Sequence, residues 1–186
     1  MSAVVDVVTV GYASDRVAGT VCLIRDEQSV IVVDPGMVAS RDRILVPLRE
    51  RGVDPGDVTD VIISHHHPDH TVNIALFPRA RVHDFQATYI DDEWIDHDDD
   101  FAVSASVRLL RTPGHTPQDV TTLVDTADGL VAMTHLWWSA DGPADDPFAE
   151  DRAQLADSRR RVLDLRPVRV VPGHGEPFVP DASTPV

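Results

Sequence analysis

Six consecutive residues, His65-His66-His67-Pro68-Asp69-His70, hold four of the chain's nine histidines directly after the apolar run Val61-Ile62-Ile63-Ser64. A neutral imidazole offers a nitrogen lone pair and an aspartate offers oxygen, so His-x-His-x-Asp-His places four metal ligands on one short loop. Two metals, rather than one, are the natural reading of that density. A surface loop has no structural need of such a cluster. His66 alternates away from its neighbours and is expected to lie behind the ligands or face solvent.

Three more histidines end strand-like runs in the same way. His115 follows Leu109-Leu110-Arg111-Thr112-Pro113-Gly114, His135 follows Leu130-Val131-Ala132-Met133-Thr134, and His174 follows Val170-Val171-Pro172-Gly173. In a layered α/β domain, strand ends gather at one edge of the sheets, where loops aim side chains into a common cleft. His83, in Arg81-Val82-His83-Asp84-Phe85, is expected to be structural and able to pair with Asp84. His97 is expected to be solvated. Of Trp137 and Trp138, one can wall the cleft while the other packs in the core.

The elements that must carry these residues are short and β-branched: Val4 to Val10, Thr20 to Ile24, Val30 to Val33, Val61 to Ser64, Val107 to Leu110, Val120 to Val124, Leu130 to Met133 and Val168 to Val171. Each has strand length and most end at Gly, Pro, Asp or His. Ser40 can cap a helix through Arg51 that Gly52 terminates, with Ile44 and Leu48 on one face. A second helix is expected from Pro147 to Leu165, with Asp146 as its cap and Arg159, Arg160 and Arg161 favoured near its C-terminus. Strands with interspersed helices in both halves imply one α/β layered domain over residues 1–186. Asp91 to Asp100, seven of ten residues acidic, is expected to be a solvated loop, since like charges at that density repel.

Composition narrows the partners. At 186 residues, with 16 basic against 31 acidic side chains and a formal charge of −15, the surface should repel nucleic acid and anionic membranes. No stretch approaches the roughly 20 apolar residues of a membrane span, and no signal-like segment opens the chain, which makes the cytoplasm the expected location. A small-molecule substrate is the expected partner; the oligomeric state is left open. The single cysteine, Cys22, sits in a strand-like run and is expected to be a buried small hydrophobe.

Together, His65-x-His67-x-Asp69-His70, Thr112-Pro113-Gly114-His115-Thr116 and Pro172-Gly173-His174-Gly175 resemble the ordered motifs of the metallo-β-lactamase superfamily. Asp34-Pro35-Gly36 is similar to that family's early Asp-x-Gly turn. The resemblance implies a four-layer αβ/βα sandwich with a metal cleft at one edge of two sheets. It implies one metal on His65, His67 and His115 and another on Asp69, His70 and His174, with Asp69 also orienting the nucleophile. Zinc is the expected ion, one or two per chain, with iron or manganese open.

Within the superfamily the chain resembles the compact branch typified by metallo-β-lactamase domain-containing protein one, through Asp69 to Pro78, His83-Asp84-Phe85, Gln118-Asp119-Val120 and Ser158 to Leu163. Only Glu176 to Val186 follow the last motif in this sequence, so an appended helical domain is not expected. One position departs from the pattern. Most two-metal members carry a bridging aspartate where Thr134-His135 stands here, and a neutral imidazole has one lone pair and cannot bridge as a carboxylate does. Two divalent ions with a hydroxide and two carboxylates sum to +1, and without one carboxylate to +2, which weakens the second ion and favours an anionic substrate. His135 can bind one metal, hydrogen-bond to the nucleophile, or stand aside; the first is expected, with the second metal held more weakly.

These readings converge on a metal-dependent hydrolase of a small ester, lactone, thioester or phosphoester. An RNA nuclease of the same fold and a non-catalytic metal-binding sensor or scaffold are the alternatives.

Overall fold

The computed structural model describes residues 2–186. In chain order it contains β1 (Val4–Thr9), the short pair β2 (Tyr12–Ala13) and β3 (Val17–Ala18), β4 (Val21–Asp26), β5 (Ser29–Val33), α1 (Asp42–Glu50), β6 (Asp60–Ile62), α2 (Pro68–Thr71), β7 (Arg81–His83), β8 (Ala87–Ile90) and β9 (Glu93–Asp96). β10 (Asp100–Ala102), β11 (Val107–Arg111), β12 (Val120–Thr126), β13 (Gly129–Thr134), α3 (Arg152–Asp164) and β14 (Arg169–Pro172) follow. One sheet runs β1-β4-β5-β6-β7-β8-β9 and the other β10-β11-β12-β13-β14. All eight runs marked in the sequence are strands, because β-branched side chains fit a pleated, buried surface.

Alternation along the strands builds the layers. Cys22 and Ile24 of β4 and Ile31 and Val33 of β5 pack with Leu109, Val124, Val131 and Met133 of the other sheet, forming the core between sheets. Their neighbours Val21, Leu23 and Val32 face the opposite way, against Ile44 and Leu48 of α1. On the far side, Leu110, Leu123 and Ala132 pack beneath Leu155 and Val162 of α3. Helix, sheet, sheet, helix is the four-layer sandwich. Burial at Cys22 pushes its thiol up to about 12, in keeping with an inert core side chain. Among the described residues no helix is long and apolar enough to cross a membrane.

Asp26 ties the two sheets together at one end. Its carboxylate accepts from Ser104 Oγ at 2.7 Å, Ser106 N at 2.7 Å and Ser106 Oγ at 2.9 Å. Burial opposes the charge, yet the serine hydrogen bonds hold the carboxyl below its ordinary value. A depressed carboxyl contributes stability above its unfolded pKa and loses it as pH falls through the folded one. Asp26→Asn should therefore cost ~2 kcal/mol at neutral pH and progressively less as pH falls below the ordinary carboxylate range, measured by urea unfolding across that range.

Five expectations change. The second helix begins at Arg152 with Asp151 as its N-cap, accepting from Gln154 N; Pro147 to Glu150 lie outside it. Asp146 caps nothing, because its carboxylate is engaged in the cleft. Arg159 does not rest on the helix surface: it is fully buried, and its guanidinium donates to the carbonyls of Leu136, Pro143 and Ala144. The acidic segment is not all loop, since β9 pairs with β8 at the sheet edge. Its carboxylates fan into solvent there, which relieves their repulsion. His97 is half-buried and stacks on Phe101 at 4.3 Å rather than standing in solvent.

Candidate metal centre

Strand direction brings the histidines together. β5, β6 and β7 run parallel, so Asp34 and His65, just beyond the ends of the first two, share one edge. β12 is antiparallel to both β11 and β13, and β14 is parallel to β13. β11, β13 and β14 therefore point the same way and deliver His115, His135 and His174 to that edge. Pro68 opens α2 at its first turn, where its fixed φ suits a helix start, and the turn carries Asp69 and His70 inward.

Two glycines permit the close packing. A Cβ at Gly36 would overlap the Asp69 carbonyl, and one at Gly173 would overlap the His135 ring. Any side chain there would push the histidine loop or His135 out of place.

Three groups of ligand atoms lie mutually within 4.8 Å: His65, His67 and His115; His65, His70 and His135; and Asp69, His70 and His174. In the first, His67 Nδ1 stands 3.0 Å from His65 Nε2 and 3.1 Å from His115 Nε2. Tetrahedral nitrogens about 2.0–2.1 Å from a zinc ion are about 3.3 Å apart, so this group is spaced to fit one. His174 Nε2 stands 3.6 Å from Asp69 Oδ2 in the third.

For three of the rings the far side fixes which nitrogen is free. His115 Nδ1 donates to Asp146 Oδ2 at 2.8 Å, His70 Nδ1 to Asp34 Oδ2 at 2.9 Å, and His174 Nδ1 to the Ala18 carbonyl at 2.8 Å. Those oxygens only accept, so the protons sit on Nδ1 and the Nε2 lone pairs face the centre. Asp34 also accepts from Ser64 N at 2.7 Å, locking the β5 turn to the histidine loop.

His135 sits amid the cluster, its ring 4.1 Å from that of His115, 4.5 Å from His65, 4.9 Å from His70 and 5.0 Å from His174. Its Nε2 is 3.1 Å from His174 Nε2, while its Nδ1 is buried without a hydrogen-bond partner. A buried polar atom left in that state calls for a ligand or ion to satisfy it. The donor set therefore fits a cation.

Charge distribution agrees. Burial and then the neighbouring imidazoles push His65 and His135 well below the ordinary histidine range, and burial lowers His67 and His174. These rings remain neutral donors at physiological pH. Burial would depress His70 too, but Asp34 and Asp69 outweigh it and raise its pKa. Burial alone would lift the Asp69 carboxyl; His70 overrides that and holds it low.

The other histidines stand apart. His66 pairs with Asp84 at 2.9 Å, behind the ligands. His83 is structural as expected, but its partners are Asp60 at 2.7 Å and Thr88 at 2.8 Å rather than Asp84.

Over the centre lies a cleft of about 480 Å³, walled by Val17, Trp138 and Phe148, with Asp69 at its floor. Trp137 is wholly buried instead. Asp146 links wall to centre: Oδ2 accepts from Trp138 Nε1 at 2.9 Å as well as from His115, and Oδ1 from Phe148 N at 2.9 Å. Sequence spacing gave no sign of this role, since Asp-Pro-Phe looks like any helix start. Asp146→Ala should weaken zinc binding about 10- to 100-fold, read by competition with a chromophoric chelator.

The family model of the metallo-beta-lactamase superfamily matches residues 14–84. Over 189 residues the chain is 33% identical to metallo-beta-lactamase domain-containing protein 1 of Xenopus laevis, covering 94% of this chain and 80% of that one. The chain belongs to the metallo-beta-lactamase superfamily. Members of the superfamily are mostly metal-dependent hydrolases, N-acyl homoserine lactonases among them. The Homo sapiens protein of the same name is 38% identical over 167 residues; they make up 83% of this chain and only 62% of the human one, just under two thirds of its length. The fold matches that of B. thuringiensis AiiA, solved with N-decanoyl-L-homoserine at its active site, with a TM-score of 0.69, 19% identity, and coverage of 93% and 92%. As a superfamily member, the chain holds its histidines where the fold gathers strand ends.

Proposed function

We propose that this superfamily member is a metal-dependent hydrolase of a small ester, lactone, thioester or phosphoester. One observation carries the reading: imidazole nitrogens from four separate segments converge at an open cleft, with the outer nitrogens of His70, His115 and His174 pinned by acceptors. His65, His67 and His115 would hold one ion and Asp69, His70 and His174 a second, with His135 lending its nitrogen to one of them. Zinc suits so nitrogen-rich a set. Such ions, when bound, supply Lewis acidity and water that is deprotonated near neutral pH.

The chain's own groups do the rest. Among the described residues Asp69 is the only carboxylate lining the cleft, so it orients the attacking water, takes its proton and can return that proton to the leaving group. Trp138 and Phe148 keep bulk water from the reacting carbon. Asp146 keeps His115 in a fixed tautomer and orientation while substrate enters.

Metal-loaded protein should turn over at least one member of a panel of such esters, and His67→Ala should lower kcat/KM about 1000-fold, since it removes a ligand without opening the core. Silence across the panel with metals bound would count against hydrolysis. Neither Lys nor Arg lines the cleft, so a polynucleotide substrate is left outside the proposal.

A further inference from the structure

Resting on the hydrolase reading, and against the anionic preference expected from the charge at the centre, we infer that the substrate is an uncharged carboxylic ester or lactone with an apolar acyl part, seated against Trp138 and Phe148. Three independent features carry this. The first is the wall itself. Trp138 and Phe148 lie nearly parallel, 28° apart with centroids 5.8 Å apart, and Phe148 is 61% exposed. A large ring left that open on the cleft rim, facing His67 at 6.3 Å and His115 at 5.6 Å, presents apolar surface to whatever lies over the centre. Val17, 38% exposed, faces the same space from the β2–β3 pair.

The second feature is the lack of a cation. Apart from histidines, Asp69 is the only charged residue lining the cleft among the described residues. An adjoining pocket of about 280 Å³, which shares Ala13, Trp138 and His174 with the cleft, adds only Asp141. Arg159 lies close in sequence space to this wall, but its guanidinium is committed to three carbonyls. A substrate carboxylate or phosphate outside the reacting group would meet no Lys or Arg among the described residues lining the cleft, and would face the field of a chain with a formal charge of −15.

The third is registration. A single carboxylate, Asp146, holds Trp138, the backbone of Phe148 and the metal-facing His115 together. The acyl part gripped by the rings is thereby placed at a fixed offset from the centre. In the reaction, the water oxygen bonds to the acyl carbon, the carbon–oxygen bond to the leaving alcohol breaks, and the water's proton passes through Asp69 to that oxygen.

Nitrophenyl acetate, butyrate, octanoate and hemisuccinate test this on metal-loaded protein. Octanoate should exceed acetate in kcat/KM, mainly through KM, and neutral butyrate should exceed the similarly sized, anionic hemisuccinate by ~10-fold or more. In Trp138→Ala and Phe148→Ala, the octanoate-to-acetate ratio should fall ~10-fold, while Phe148→Leu retains more of it. Preference for hemisuccinate, or a ratio unmoved in both alanine variants, would overturn the inference. Should every ester be inert, hydrolysis fails and the cleft is judged by binding alone. Octanamide should then still quench tryptophan emission in the wild type and not in Trp138→Ala or Phe148→Ala; no quenching in the wild type overturns the apolar site as well.

Discussion

Stripping bound metal with a chelator should lower the melting temperature by on the order of 10 °C, and adding zinc back should restore it. An ion that binds only the folded state at about a thousand times its dissociation constant adds about 4 kcal/mol, and a domain of this size shifts by a few degrees per kcal/mol. The physical source is the cluster itself. His65, His70, His115, His135 and His174 are all buried, and the unpartnered His135 Nδ1 shows that hydrogen bonds within the chain do not satisfy it. Without an ion, the fold bears the desolvation of these nitrogens uncompensated.

The metal-free protein should also weaken as pH falls below about 6.5, the unperturbed histidine value. His65, His67, His135 and His174 have depressed pKa values when folded, so the unfolded chain takes up protons first and gains the advantage. His70 has the opposite sign: its raised value contributes stability at low pH that is lost as pH climbs through about 9. Four depressed rings against one raised ring set the net direction. Thermal melts of chelator-treated protein from pH 5 to 9 check it; stability rising steadily toward acid would contradict this account.

His135→Asp should increase the number of tightly held ions from about one to about two per chain after dialysis, read by elemental analysis. Asp Oδ1 and His Nδ1 are both bonded to Cγ, so the carboxylate enters where an unpartnered nitrogen now lies. A negative charge replaces a neutral ring among His65, His70, His115 and His174, and its two oxygens can reach two ions where one nitrogen reaches one. The smaller side chain also leaves a void beside Gly173, so the variant should be less stable than the wild type without metal and should recover when loaded. Two ions held tightly in the wild type and unchanged in the variant would refute the weak second site.

Much of the centre was legible in the sequence because ligand chemistry is local. His65, His67, Asp69 and His70 are spaced by the loop and the turn of α2 that carry them, and the Pro-Gly-His motifs at His115 and His174 each mark a strand end. The β-branched runs likewise marked eight of the strands, while their division into two sheets came with the family resemblance. The strands missed, β2, β3 and β7 to β10, are short and partly exposed, and in β9 charge density hides the pattern altogether.

What the sequence by itself determined is which residues could bind metal and that layered sheets would carry them. Only the tertiary structure decided that Asp34 and Asp146 orient the rings, that Arg159 turns inward to hold the Leu136 to Ala144 segment, and that Trp138 rather than Trp137 walls the cleft. Each of these depends on contacts between segments far apart in the chain, as with Asp34 and His70, 36 residues apart, or Asp146 and His115, 31 apart. A carboxylate's partner across such a distance is set by strand order and direction, and no local pattern encodes it.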